Sequence, residues 1–424
     1  MIHNLSNKRH PLNMNGFSPE RLLLGLLPIL ALLQGCNMPP LQKNIAERSK
    51  SIEFRSSIRV LVQTISTADD LDLDSYKSIV NTEIREFQRS NPNIRINARF
   101  VPIEDLEREV GFQHLRGLGP DLILLTNNNA LPLLHKKYIR YASLNHVEIR
   151  SIRNSLLNSI RHDGKLLGIP VFIFPQVACY DRSRLKEPPE NLDELVRLSR
   201  RGYSFGIEKN IDTLLWLYSG LDDPLFEKNT QPSSLAFLRW LRLANLEPTI
   251  SFESDSLILR HGLISGELNW ITCSASWLPE LKLQMGKKFG TVMLPNTPAG
   301  RARPFLRART WFFGSQSSGK QHESAKKFAL FTVNIVQQRN MALKMGMVVP
   351  VNPGISLPLK TNKDLKLVNI AAEQGKLLTL GQVDWLYRMD AVLNSFINPV
   401  LGGEQSPEEI APRLDNLLKY GARK

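Results

Sequence analysis

Hydrophobic and polar positions alternate at two periods along this chain, and each change of period predicts an element. Ile58, Val60 and Val62 alternate with polar residues, as in a strand. From Tyr76 to Gln88 the apolar positions Ile79, Val80, Ile84 and Phe87 share one helical face. Asn91-Pro92-Asn93 is a turn, after which Ile94, Ile96, Ala98 and Phe100 alternate again. Glu104 to Leu115 is polar and helix-compatible. Gly119-Pro120 then precedes Asp121 and the apolar run Leu122-Ile123-Leu124-Leu125, a buried strand. Strand, helix, strand, helix, strand at this spacing implies parallel crossovers and a layered α/β lobe.

The middle and the C-terminal part continue the pattern. Asp163-Gly164 is a hairpin-like turn. Leu167 to Phe174 is apolar, with Pro170 and Pro175 limiting the strand it predicts. Asn191 to Leu198 opens on a cap residue with Glu194 three positions on, and Ser234 to Leu243 is apolar on one side. Gly290 to Leu294 and Trp311 to Phe313 are short strands, and Ser324 to Lys344 is one long helix. Ser406-Pro407-Glu408-Glu409 combines a cap, Pro at the first helical position and Glu at the third. Ile410, Leu414, Leu417 and Leu418 follow as its apolar stripe.

At 424 residues the chain is longer than one domain usually runs, so two lobes are expected. Its 42% hydrophobic and 22% charged residues exclude a disordered chain or a fibre. The N-terminus reads as an export signal spanning 1–35. Lys8, Arg9 and Arg21 precede the apolar run Leu22 to Leu33, which Pro28 interrupts and which is shorter than the ~20 residues of a spanning helix. The run ends in Leu33-Gln34-Gly35-Cys36, which resembles the lipobox of bacterial lipoproteins. That resemblance implies lipidation of Cys36, with 36–54 as a flexible tether and the chain held on the outer side of a membrane.

The formal charge of +14 leaves the chain strongly basic even without residues 1–35, so anionic headgroups are a natural neighbour. No basic helix with interleaved aromatics is present, and nucleic acid is not an expected partner. Three cysteines exclude a disulfide-dense scaffold and a four-cysteine zinc module, and whether Cys179 and Cys273 pair stays open. The eight histidines form no metal spacing, and neither H-E-x-x-H nor G-x-S-x-G occurs. Gly314-Ser315-Gln316-Ser317-Ser318-Gly319-Lys320-Gln321 matches G-x-x-x-x-G-K, but Gln321 stands where Ser or Thr meets magnesium. No cofactor and no enzymatic activity are expected.

Four ordered segments resemble extracellular solute-binding proteins of ATP-binding-cassette importers, the carbohydrate-type group. They are Phe87 through Ile96; Gly119-Pro120-Asp121-Leu122-Ile123-Leu124; Asp163 through Pro170 with Ala178-Cys179-Tyr180-Asp181 and Pro188 through Leu195; and Ser318 through Phe328 with Met341-Ala342 and Val349-Pro350-Val351. Asp181 and Asn191-Leu192 depart from the family pattern. The resemblance implies a two-lobed α/β periplasmic-binding-protein-like fold with a ligand cleft and hinge strands near Gly168–Pro175, Thr291–Pro295 and Gly346–Pro350. Lobe one is then expected at 55–170 plus 295–346 and lobe two at 171–294 plus 347–424. It further implies a monomeric receptor that closes on a small polar solute, such as a sugar or oligosaccharide, and delivers it to membrane permease subunits. An exported glycan-acting enzyme, or a lipoprotein using the fold as a scaffold, are the alternatives.

In open parallel sheets ligands bind beyond the carboxyl ends of strands. That rule nominates Gln63 and Thr64 after the first strand, and Thr126 and Asn127 after the third, whose amides and hydroxyls suit a polyhydroxyl ligand. Sugar rings also stack on aromatic faces. The candidates for that role are Trp216, Tyr218, Trp270, Trp277 and Trp311, with Trp385 and Tyr387 at the cleft edge. Ser274 lies in the small polar stretch between Trp270 and Trp277, and Gln176 completes the set. Of the Arg301–Arg309 run, read otherwise as a solvated loop, Arg309 is placed near the cleft.

Overall fold

The computed structural model describes residues 56–64, 72–221, 233–298 and 300–421. The signal segment, the tether and Cys36 lie outside the described residues.

The first half follows the alternation closely. Strands β1 (Ser56–Gln63), β2 (Ile94–Val101) and β3 (Leu122–Thr126) pair in parallel, with β1 between the other two. Ile58, Val60 and Val62 face the helix Asp72–Ser90, which turns Tyr76, Val80, Ile84 and Phe87 onto them. Leu61, Ile123 and Leu125 face the other way, against Leu106 and Val110 of the helix Ile103–Leu115. Asp121, fully buried before β3, accepts from the Arg59 amide (2.7 Å) and the Ser317 hydroxyl (2.8 Å), tying β1, β3 and the 314–321 loop together.

Beyond β3 come β4 (Ile139–Arg140) and the hairpin β5 (Arg161–His162) and β6 (Lys165–Leu166), which turns at Asp163-Gly164 as expected. The next strand is longer than the sequence suggests. β7 runs from Gly168 to Asp181, straight through Pro170 and Pro175. Prolines are tolerated in sheets where the ladder is already interrupted. Pro170 sits where the pairing of β7 with β12 (Leu306–Gly314) shifts register, and Pro175 is its last pair before the partner changes. From Gln176 onward β7 pairs instead with β10 (Trp270–Ser274) and, through Ala178 to Asp181, with β11 (Phe289–Val292).

The second half is built on that continuation. β8 (Phe205–Glu208), β9 (Ile250–Glu253) and β10 (Trp270–Ser274) run parallel, with β11 (Phe289–Val292) on the other side of β7. β12 (Leu306–Gly314) returns antiparallel between β3 and β7. β13 (Val349–Pro350) adds to β7 at Phe172 and Ile173. The main path of the sheet is therefore β2-β1-β3-β12-β7-β10-β8-β9, and the three stretches expected to cross all meet on β7. Cys179 on β7 and Cys273 on β10 form a disulfide, Cα–Cα 5.7 Å, which the sequence had left open.

Two further expectations are corrected. The Arg301–Arg309 run is not a solvated loop throughout, because β12 begins at Leu306 and takes Arg307 and Arg309 into the sheet. The helix read over Ser324–Lys344 is two, Gly319–Thr332 and Ile335–Met345. Asn334 breaks it by capping the second helix, its side chain accepting from the Gln337 amide at 2.9 Å. Asn334→Ala is expected to cost about 1 kcal/mol, read as a lower urea midpoint at unchanged slope, with Asn334→Asp close to wild type. The P-loop-like segment is resolved in the same way: Ser318 and Gln321 form a reciprocal capping box, so Gln321 is a helix-start residue. Among the described residues, no helix is long and apolar enough to cross a membrane.

Candidate functional site

Strand direction decides where this chain gathers its polar side chains. β1 and β3 end at Gln63 and Thr126, and β10 ends at Ser274. These ends border one cavity of ≈ 150 Å³ that lies between the two halves. Gln63, Thr126, Asn127 and Asn128 line it from the first half, and Ser274 and Ser276 from the second. Phe174 of the crossing strand, residues 305–309 and a C-terminal contribution ending in Val383 and Tyr387 close the rest.

The polar groups of the first half are held by one another. The Gln63 Oε1 accepts from the Thr126 amide (2.9 Å) and hydroxyl (3.3 Å). The Asn127 Oδ1 accepts from the Thr310 hydroxyl at 2.7 Å. Across the cavity, the Ser274 and Ser276 hydroxyls are 2.8 Å apart. Fixed amides and hydroxyls that both donate and accept suit a polyhydroxyl or otherwise polar solute.

Two arginines of β12 complete the lining, and they differ. Arg307 is committed: its Nη2 donates to the Asp212 Oδ2 at 2.5 Å, and the Tyr387 hydroxyl donates to the same oxygen at 3.3 Å. Arg309 lies opposite Thr126 on β3 and Phe172 on β7, beside the register shift. Only 2% exposed, it donates from Nη1 to the Gln63 carbonyl (3.0 Å) and from Nη2 to the Thr64 carbonyl (3.1 Å). Its Nε has no partner. Burial pushes its pKa down, and only the nearby Tyr76 phenol works the other way. Burial pushes that phenol up to about 12 against the pull of Arg309, and its hydroxyl is also without a partner.

Gln63, Thr126, Asn127, Ser274 and Arg309 thus border one cavity. Thr64 stands behind the cavity, contributing its carbonyl to Arg309. Gln176 is buried at the change of partner along β7, its amide donating to the Thr213 carbonyl at 3.0 Å.

The indole reading is corrected. Trp216 and Tyr218 are 0% and 2% exposed in the core of the second half, where Tyr218 meets Phe237 edge-on at 5.4 Å. Trp270 opens β10, whereas the cavity lies at its other end, and it packs on Phe205 at 5.9 Å. Trp311 shares the face of Arg309 but sits two residues deeper, roughly 7 Å along the strand. There its Nε1 donates to the Thr332 hydroxyl at 3.0 Å. Trp277 is buried below the Ser274–Ser276 turn, under the Arg260 guanidinium at 5.7 Å from its ring. Trp385 is also core, leaving Phe174, Phe305 and Tyr387 as the aromatic lining.

Sequence reasoning missed Arg307, Asp212 and Ser276. Arg307 was visible as the partner of Arg309 at period two, had the strand been started earlier. Asp212 carried no signal, since only the fold brings the helix Ile211–Leu221 to β12.

No family model and no curated protein matches this sequence. Solved structures do match in fold. The GacH receptor of Streptomyces glaucescens, solved unliganded and with acarbose, has a TM-score of 0.72 at 15% identity, covering 87% of this chain and 99% of that one. The maltose-binding periplasmic protein MalE of Listeria monocytogenes, in complex with maltose, gives 0.68 at 14%, covering 87% and 98%. An ABC transporter solute-binding protein of Thermotoga lettingae, bound with α-D-tagatose, gives 0.68 at 13%, covering 86% and 100%. At these identities the likeness is one of fold: this chain has the two-lobed periplasmic-binding-protein architecture.

Proposed function

We propose that this chain is a solute-binding receptor of an ATP-driven importer that captures a small sugar or sugar-like solute. The observation that carries the reading is the cavity between the two halves. It is lined by strand-end amides and hydroxyls from both, in a fold whose neighbours include receptors for acarbose, maltose and tagatose. Lobe one is taken as 55–170 plus 295–346 and lobe two as 171–294 plus 347–424, with β7 among the strands that flex as they close. Differential affinity of the permease for the closed form gives the transfer its direction. Lipidation at Cys36 would hold the receptor beside that permease outside the cell. A buried disulfide supports an oxidising location.

Binding without chemistry is the better-supported role. Glycoside hydrolysis needs a pair of carboxylic groups flanking the bond, and the cavity lining, among the described residues, carries two guanidinium groups and no carboxylate.

Titration with mono- and disaccharides, followed by intrinsic fluorescence and thermal melting, tests the proposal. A true ligand at about 100 times its dissociation constant adds ~2.7 kcal/mol of stability. Absence of any shift across sugars, polyols and their charged derivatives would remove the sugar reading.

A further inference from the structure

Arg309 is the least explained group in the molecule. A guanidinium cannot shed its proton in a protein, and burying one without an anion costs several kcal/mol. Arg309 is buried and lines the cavity, and it makes no ion pair among the described residues. Its two hydrogen bonds go to backbone carbonyls, which hold the fork in place without neutralising it. The other cavity arginine, Arg307, already has Asp212. Tyr76, whose phenol acts on Arg309 electrostatically, is neutral at physiological pH with its own hydroxyl unsatisfied. Among the described residues, the cavity therefore carries one guanidinium without a counter-charge, held in place in advance by those two carbonyls.

We infer that the solute bound here is an acidic sugar or sugar-like compound whose oxyanion docks on Arg309 while its hydroxyls meet Gln63, Asn127 and Ser274. The inference rests on the sugar-receptor reading and narrows its substrate class. The missing counter-charge is supplied by the ligand, so binding removes a penalty that the empty receptor carries. Charge-assisted bonds to a guanidinium are also about twice as strong as neutral ones. A single free guanidinium matches a single negative charge, which points to a carboxylate ahead of a doubly charged phosphate.

The experiment compares matched pairs on the full exported chain by isothermal titration calorimetry: glucuronate against glucose, galacturonate against galactose, and glucose 6-phosphate beside both. The expected result is that an acidic member binds roughly tenfold or more tighter than its neutral partner. Arg309→Gln is expected to abolish the difference and Arg309→Lys to restore part of it. Preference for uronate over sugar phosphate, or the reverse, identifies the oxyanion. Equal binding of acid and neutral sugar by wild type overturns the inference yet leaves the sugar receptor standing, and this comparison needs no variant to fold. Arg309-dependent binding of lactate or citrate with no response to any sugar keeps the oxyanion site and removes the sugar reading.

Discussion

Replacing Cys179 and Cys273 together by alanine is expected to lower stability by about 4–5 kcal/mol. The two cysteines are 94 residues apart in sequence, and closing a loop of that length removes about this much chain entropy from the unfolded state. Both side chains are fully buried, so the alanines add a small packing loss. The effect is read from urea unfolding of wild type and variant, each with and without dithiothreitol. Reductant should shift the wild-type midpoint down to the variant's and leave the variant unchanged. An identical wild-type curve in reductant would show that the bond contributes nothing. The disulfide also fixes β10 to the part of β7 from Gln176 onward, which has left its pairing with β12.

The same strand shows what the sequence conveys and what it withholds. Local periodicity was enough for β1, the helix after it, β2 and β3, because each packs on its sequence neighbours and repeats a clean two- or 3.6-residue pattern. Their order implied parallel crossovers, and strand direction then placed Gln63, Thr126 and Asn127 at one end of the sheet. β7 defeated the local reading because its continuity depends on partners about 90 or more residues away, which tolerate Pro170 at a register shift and Pro175 at a change of neighbour. The indoles failed for a related reason. Composition marks Trp as large and amphipathic, but only the depth of each along its element separates core from cleft. Trp270 stands four residues from the cavity end of β10, and Trp311 two residues inside Arg309. Arg309 was singled out by charge alone. That it is buried, and that it pairs with no acid among the described residues, are facts of the fold.

Glu83→Gln is expected to stabilise the protein above neutral pH and to flatten its pH dependence. Glu83 lies two turns beyond Tyr76 on the helix Asp72–Ser90, 6% exposed, with its Oε1 unpartnered. Burial raises its carboxyl to about 8; the neighbouring Glu86 adds to the rise and Lys344, from the helix Ile335–Met345, opposes it. The folded chain therefore keeps a proton that the unfolded chain releases near the ordinary value of 4.5. Between these two values the native state binds more protons, so stability falls as pH rises. The contribution is fully present below the unfolded value and is gone once pH passes the folded one. The slope reaches at most about 1.4 kcal/mol per pH unit, so the loss amounts to a few kcal/mol by alkaline pH. Urea midpoints measured from pH 4 to pH 9 should decline for wild type through that window, after allowance for the other titrating groups. The glutamine variant, isosteric and never charged, should lack this decline and exceed wild type at pH 9. Parallel profiles would mean that the carboxyl is hydrated or paired and titrates normally.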